Sequence, residues 1–181
     1  MSATRPHRIE LNLRDMAQLF NSMDPSPFHE RDLDHDAEEF IESWAREYPI
    51  DEPVALRVHL AEWPADDPHV LIRDAVHNYF AYRAKLSDLE FRQLMKQGRT
   101  TLVIGIVFLA TCLGLSRAVA TIGVGSGSML VRESLTIAGW VAMWRPMELY
   151  LYDWWPVRRR GRLYRKLSRM NIEVVSKTGA R

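Results

Sequence analysis

The chain has 181 residues, a length that suits one modest domain with an additional element. Its formal net charge is +1, but residues 1–70 hold 16 acids and 6 bases, whereas residues 71–181 hold 7 acids and 18 bases. Because an apolar stretch lies inside the basic half, this asymmetry predicts contact with a membrane surface, and we expect no nucleic-acid partner. A single cysteine, Cys112, excludes a disulfide framework within one chain.

The acidic half predicts a cytoplasmic βαβ region over residues 1–68, because its polar start lacks the apolar core of a secretory signal. Alternating apolar residues predict strands over Arg8–Leu13 and Val54–Leu60. A helix is predicted between them from about Asp36, which with Glu39 is typical of an amino-terminal capping pair. Five residues of this helix fall at helical spacing and are expected to face the core: Ala37, Phe40, Ile41, Trp44 and Ala45.

A long helix is predicted over residues 69–99, and a strongly apolar stretch follows it. The uncharged run Thr101–Ser116 reaches Ile122 if Arg117 extends its charge to the membrane surface. That extension gives the roughly 20 residues that a helix needs to cross a bilayer. We therefore expect a first transmembrane helix over about residues 101–122.

A second transmembrane helix is expected over about residues 133–155, which completes a hairpin within residues 100–156. A flexible turn at Val124–Ser128 separates the two helices. Because a charge inside a bilayer is costly, Arg145 and Glu148 are expected to pair, either as a structural i,i+3 contact or as part of an ion path. Both a spanning and an interfacial position remain open for the last part of this segment.

Pro146 predicts a kink in the second helix. Proline has no amide hydrogen to donate, and its ring disfavours helical geometry at the residue before it. The carbonyl of Ala142 should therefore lose its usual partner at this point.

Aromatic and basic residues follow the second apolar segment, and five of them are expected at the membrane interface: Trp154, Trp155, Arg158, Arg159 and Arg160. Residues 157–181 are predicted to form a basic amphipathic helix, which rests on anionic lipid headgroups, and a carboxyl-terminal strand. This strand is expected to pair with the first two strands. Bases flank both apolar segments on the same side, which predicts that both termini are cytoplasmic.

The fold class is therefore predicted to be α+β, a small cytoplasmic sheet joined to a two-helix transmembrane hairpin. The sheet would combine the βαβ unit with the carboxyl-terminal strand and carry helices on one face. The alternative for the two apolar segments is a helical hairpin buried inside a soluble oligomer.

Two stretches carry a resemblance to known proteins. The loop Leu19–Phe28 reads Leu-Phe-Asn-Ser-Met-Asp-Pro-Ser-Pro-Phe, and the run Trp144–Pro156 contains Trp-Arg-Pro and Tyr-Asp-Trp-Trp-Pro. On these motifs the chain resembles a group of two-span bacterial inner-membrane proteins over most of its length. The resemblance implies a multi-pass protein of that membrane, and it implies no activity.

The acidic stretch after this loop offers weak candidates for metal ligands: His29, Asp32, Asp34 and His35. Their spacing matches neither a calcium-binding loop nor a zinc site. Acidic residues also stabilise the amino end of a helix, which accounts for them without a metal. We therefore predict no metal and no cofactor.

Motifs typical of enzymes are missing from the sequence, including a phosphate-binding loop, a nucleophile elbow, Cys-x-x-Cys and His-Glu-x-x-His. We therefore predict a membrane-anchored structural, adaptor or regulatory protein rather than an enzyme. Its cytoplasmic domain would bind another membrane protein or a second copy of the chain. The alternative is a subunit of a small oligomeric channel or transporter with Arg145 and Glu148 in its interior.

Overall fold

The computed structural model describes residues 6–23, 31–64, 67–122 and 125–177. Its elements in chain order are β1 His7–Leu13, a 3-10 turn Met16–Leu19, α1 His35–Glu47, β2 Val54–Leu60, α2 Pro68–Ile122, α3 Ser126–Ala142, α4 Trp144–Glu148, a π-helix Leu149–Asp153, α5 Trp154–Leu167 and β3 Asn171–Ser176. The chain divides into two compact units. We call Met1–Ser87 with Arg159–Arg181 the α/β unit, and Asp88–Arg158 the helical unit.

The three strands of the α/β unit form one parallel sheet in the order β1-β2-β3. Side chains alternate between the two faces of a strand, so residues in register share a face. Two apolar rows cross the sheet on one face: Ile9, Leu56 and Ile172, then Leu11, Val58 and Val174. The prediction that the carboxyl-terminal strand joins the first two is confirmed, and one sheet gathers strands from both ends of the chain.

Helices cover this apolar face, and their side chains join those of the strands in a single core. The largest helical contributors are Ile41 from α1, Ile72, Val76 and Phe80 from α2, and Leu163, Tyr164 and Leu167 from α5. The opposite face carries polar side chains, where Arg57 on β2 donates a 2.6 Å hydrogen bond to Glu173 on β3. The predicted combination of a small sheet with helices on one face is therefore confirmed.

Helix α1 departs from the prediction in two respects. Asp34 rather than Asp36 caps it, and the Asp34 carboxylate accepts a 3.1 Å hydrogen bond from the Asp36 amide. Phe40 and Trp44, which were predicted to face the core, are 36% and 41% exposed. The prediction was wrong for these residues because the apolar side chains extend further around the helix than the core does. The buried apolar stripe consists of Ala37, Ile41 and Ala45.

Helix α2 runs without a break over 55 residues, so the predicted long helix and the first apolar segment belong to one element. Its carboxyl end at Ile122 agrees with the predicted end of the first apolar helix. The predicted turn at Val124–Ser128 is too long, because α3 already begins at Ser126. Gly125 provides the turn instead, with a positive φ of 151° that glycine adopts more readily than other residues. Residues 123 and 124 lie outside the described residues.

Candidate functional site

The helical unit exposes many large apolar side chains. Among the described residues one helix, α2, is long and apolar enough to cross a membrane. Only 17% of its most apolar 18-residue stretch is buried within the structure. Large apolar side chains that are at least half exposed on α2 and α3 include Val103, Ile104, Ile106, Val107, Ile137, Trp140 and Val141. Such a surface is unfavourable in water and favourable in an apolar environment.

Helices α2 and α3 pack closely because glycines lie where they meet. A Cβ atom at Gly139 would lie 2.8 Å from Leu109 Cδ1 and 3.2 Å from Cys112 Cβ, so a larger residue would push the helices apart. A Cβ atom at Gly105 would lie 3.3 Å from the carbonyl oxygen of Ala142. Small residues that allow close backbone approach are typical of helices packed within membranes. The two apolar segments therefore pack against each other as a helical hairpin.

The second helical segment is interrupted at Met143, close to the kink predicted from Pro146. Helix α3 ends at Ala142, and α4 begins at Trp144. Pro146 consequently lies in the first turn of α4, where amide groups have no partner within the helix and a missing hydrogen costs little.

Arg145 lies between two carboxylates on the surface of the helical unit. Its Nη1 atom is 3.0 Å from Glu148 Oε2 and 3.3 Å from Asp153 Oδ2. The structure thus brings the predicted pair together and adds Asp153, which the sequence analysis missed. The side chains of Arg145 and Glu148 are 58% and 45% exposed, so the cluster faces outward from the hairpin.

The π-helix explains why Asp153 was missed. In a regular helix with 3.6 residues per turn, Asp153 would point about 80° away from Arg145. Residues Leu149–Asp153 form a π-helix, which turns less per residue and returns Asp153 to the Arg145 side. Regular helical periodicity in the sequence gives no signal for this contact.

Residues predicted at the membrane interface follow on α5. Trp154 Nε1 donates a 2.8 Å hydrogen bond to a backbone carbonyl one turn earlier, and the Arg158 guanidinium lies 5.8 Å from the centre of the Trp154 ring. Trp155 is 65% exposed, and Arg159 and Arg160 are exposed as well. Exposed aromatic rings beside arginines are the combination found at the headgroup level of membranes.

The acidic segment has a folding role in the described residues. Asp34 caps α1, and Asp32 and His35 are exposed on either side of it. The fourth weak metal candidate, His29, lies outside the described residues. Within the ranges that the structure describes, no group of three or more His, Cys, Asp or Glu side chains is placed to hold a metal ion.

The loop that carries part of the resemblance is anchored at both described ends. Leu19 and Phe20 are buried, and Phe20 forms an antiparallel bridge with Leu33. The amide of Asn21 also donates a 2.9 Å hydrogen bond to the carbonyl of Asp32. The motif residues 24–28 lie outside the described residues. The described part of the motif therefore contributes to the core and closes the loop.

A polar network, which the sequence analysis did not predict, joins α1, α2 and α5 in the α/β unit. The Glu38 carboxylate accepts a 2.7 Å hydrogen bond from the Tyr79 hydroxyl and lies 2.7 Å from Arg83 Nη2. The Arg83 guanidinium lies 5.4 Å from the centre of the Tyr164 ring. Glu38 is 8% exposed, and its position beside Ala37 on the buried stripe was the available signal.

The electrostatics of this network keep Tyr79 and Tyr164 neutral and Arg83 charged at neutral pH. Burial, together with the hydrogen bond to Glu38, raises the pKa of Tyr79, and burial also raises the pKa of Tyr164. Burial alone would lower the pKa of Arg83, but the charge of Glu38 and the neighbouring tyrosines outweigh it and raise that pKa. The network therefore serves to connect helices rather than to exchange protons.

The described features that bear on function are surfaces: the exposed apolar hairpin, the Arg145 cluster and the aromatic and basic residues of α5. Each of them suits contact with a lipid bilayer or a protein, and none is specific to one reaction. Comparisons of the chain with protein-family models, with curated proteins and with solved structures find no match.

Proposed function

We propose that this chain is a membrane-anchored adaptor or regulatory protein of the bacterial inner membrane. Its helical unit crosses the bilayer twice, and its α/β unit lies in the cytoplasm and binds a partner protein or a second copy. The observation that carries the proposal is the exposure of the most apolar stretch of α2, which is only 17% buried. A core helix of a soluble domain would be mostly buried.

The length of α2 supports a crossing. The uncharged run between Arg99 and Arg117 contains 17 residues. At about 1.5 Å per residue it extends roughly 25 Å, close to the hydrocarbon thickness of a bilayer. Removing each large apolar side chain from water contributes about 1.5–3 kcal/mol, so a bilayer stabilises this surface far more than water does.

The end of the hairpin supports an interfacial position for the Arg145 cluster. Trp144 and Tyr152 are 71% and 69% exposed, and they flank the Arg145 cluster with its partners Glu148 and Asp153. Exposed aromatic and charged residues together favour the headgroup region. We therefore assign the Arg145 cluster to the cytoplasmic interface rather than to the middle of the bilayer, where a charge is most costly.

Thiol labelling tests the topology. After Cys112→Ser, one exposed serine is replaced by cysteine, either Ser126→Cys before α3 or Ser43→Cys on α1. An impermeant thiol reagent applied to intact spheroplasts should label the cysteine at 126, and the cysteine at 43 should react only after lysis. Labelling of the cysteine at 43 alone would show that the topology is the reverse of the one proposed. If neither reacted before lysis and alkaline carbonate released the protein, the membrane proposal would be wrong.

The adaptor proposal and its alternative, a channel or transporter subunit, differ in the size of the assembly. Arg145 and Glu148 lie on the outer surface of the hairpin, so they could face an interior only if several hairpins surrounded them. We expect mass measurement of tagged protein from native membranes in mild detergent to give a dimer or a complex with one partner in fixed proportion. A ring of four or more copies that conducts ions in planar bilayers would favour the channel. A monomer without a partner would contradict both proposals.

A further inference from the structure

A groove of about 350 Å³ lies between α2 and α3, in the half of the hairpin nearer the turn at Gly125. Six residues line it: Ser116 from α2, and Met129, Arg132, Glu133, Thr136 and Ile137 from α3. The hydroxyls of Ser116 and Thr136 both donate to the carbonyl of Arg132, over 3.4 and 2.9 Å. These donors are therefore used within the protein, and the groove offers a ligand its charged and apolar side chains.

The two charged side chains of the groove have opposite signs and do not neutralise each other. Arg132 and Glu133 are exposed, and neither forms an ion pair with any residue in the part of the chain that the structure describes. Neighbouring residues on a helix point about 100° apart, so their side chains do not face each other. The sequence holds one other charged residue between Arg99 and Arg145, which is Arg117 on α2. The groove thus presents a positive and a negative charge that are separated.

The groove lies at the level where the proposed membrane crossing ends. The uncharged run of α2 stops before Arg117, and the hydrogen bond from Ser116 places Arg132 at the same level of the hairpin. Met129 and Ile137, on either side of Arg132 along α3, are 62% and 63% exposed. The boundary between headgroups and acyl chains suits both kinds of side chain, because charges are costly deeper in the bilayer.

We propose that this groove binds the headgroup of a phospholipid that carries a primary amine, the chemistry of phosphatidylethanolamine. Arg132 donates to the phosphate, since an arginine fork matches phosphate oxygens in paired hydrogen bonds. Glu133 accepts from the ammonium group at the other end of the same headgroup, and Met129 and Ile137 contact the acyl chains. This inference rests on the proposed crossing of the bilayer and goes beyond it, because anchoring alone requires no particular headgroup.

Lipid retention by the full chain tests the proposal. The protein is placed in nanodiscs with equal amounts of phosphatidylethanolamine and phosphatidylcholine that have identical acyl chains. It is then transferred to mild detergent, and native mass spectrometry identifies the retained lipids. Phosphatidylcholine has the same charges but no N–H group to donate to Glu133. We expect about tenfold more retained phosphatidylethanolamine, the ratio that corresponds to about 1.4 kcal/mol of charge-assisted hydrogen bonding. Equal retention of the two lipids would overturn the proposal.

Two variants with matched controls assign the selectivity to the groove. Glu133→Ala should abolish the preference for phosphatidylethanolamine, whereas Arg132→Ala should lower the retention of both lipids and leaves its backbone carbonyl in place for the two hydroxyls. Glu90→Ala and Arg92→Ala make the same changes at exposed positions of α2 outside the groove and should alter neither quantity. An equal loss of selectivity in Glu133→Ala and Glu90→Ala would contradict the proposal.

Three other outcomes separate this inference from the proposed function. Stronger retention of phosphatidylglycerol than of phosphatidylethanolamine would overturn the inference, because the Glu133 carboxylate repels a headgroup that carries only negative charge. A dimer that Glu133→Ala dissociates would assign the groove to a second copy and overturn it as well. Both results leave the membrane anchor intact. Failure of the chain to enter nanodiscs would overturn the proposed function and this inference together.

Discussion

Among single residues, Glu38 combines the deepest burial of any described acid with two partners. Its carboxylate contacts both the Tyr79 hydroxyl and the Arg83 guanidinium, and so connects α1 to α2. Removing a carboxylate from water costs free energy, and at 8% exposure the contacts with these partners offset that cost. Glu38 therefore holds α1 in register on the sheet, although the stripe of Ala37, Ile41 and Ala45 supplies the apolar contact.

We predict that Glu38→Ala lowers the stability of the α/β unit by about 2–3 kcal/mol, because Tyr79 loses its acceptor and Arg83 its counter-charge. Arg83 is partly exposed, so solvent screening keeps the loss below that of a fully buried pair. Urea unfolding of the full chain in detergent micelles, followed by tryptophan fluorescence, measures it. Glu38→Gln should lose less, since the amide oxygen still accepts from Tyr79. The neighbouring exposed Glu39→Ala should change little, and an equal loss there would exclude the network as the cause.

Among the elements, those with regular periodicity were predictable and the irregular ones were not. β2 has the bounds that its alternation predicted, and α1 differs by one residue at its start. The outward position of Phe40 and Trp44 could not be predicted, because an apolar stripe does not show how much of it the sheet covers. The π-helix at Leu149–Asp153 gave no signal, since its side chains follow a different period from the one used to read helices.

For the candidate site, the sequence revealed the residue types but not the geometry. Arg145 and Glu148 were identified from their cost in an apolar segment, and their i,i+3 spacing accounts for the observed contact. The polar network around Glu38 was not predicted, because its side chains come from three helices that are distant in the chain. Such contacts depend on how the helices pack against the sheet.

At the scale of the whole molecule, strands from both the early and the late part of the chain form one sheet. β1 and β2 come from the first 60 residues, and β3 follows the helices of the helical unit. All of these strands run parallel, so each return to the sheet requires a crossover, which α1 provides first and the long path from α2 to α5 provides next. The α/β unit is therefore complete only after the last strand has been made.

This arrangement predicts that β3 is essential to the α/β unit, and two adjacent residues on opposite faces of β3 test it. Val174 is 5% exposed and packs in the core, whereas Val175 is 37% exposed on the polar face. Val174→Asp should destabilise the unit by about 3–5 kcal/mol, because it buries an unpaired carboxylate. That loss is comparable with the total stability of a small domain, so rapid tryptic cleavage of the α/β unit is the expected result. Val175→Asp adds the same charge to the other face and should leave the cleavage rate close to that of the unaltered chain. If the two variants were cleaved equally slowly, β3 would be dispensable and the sheet would rest on β1 and β2 alone.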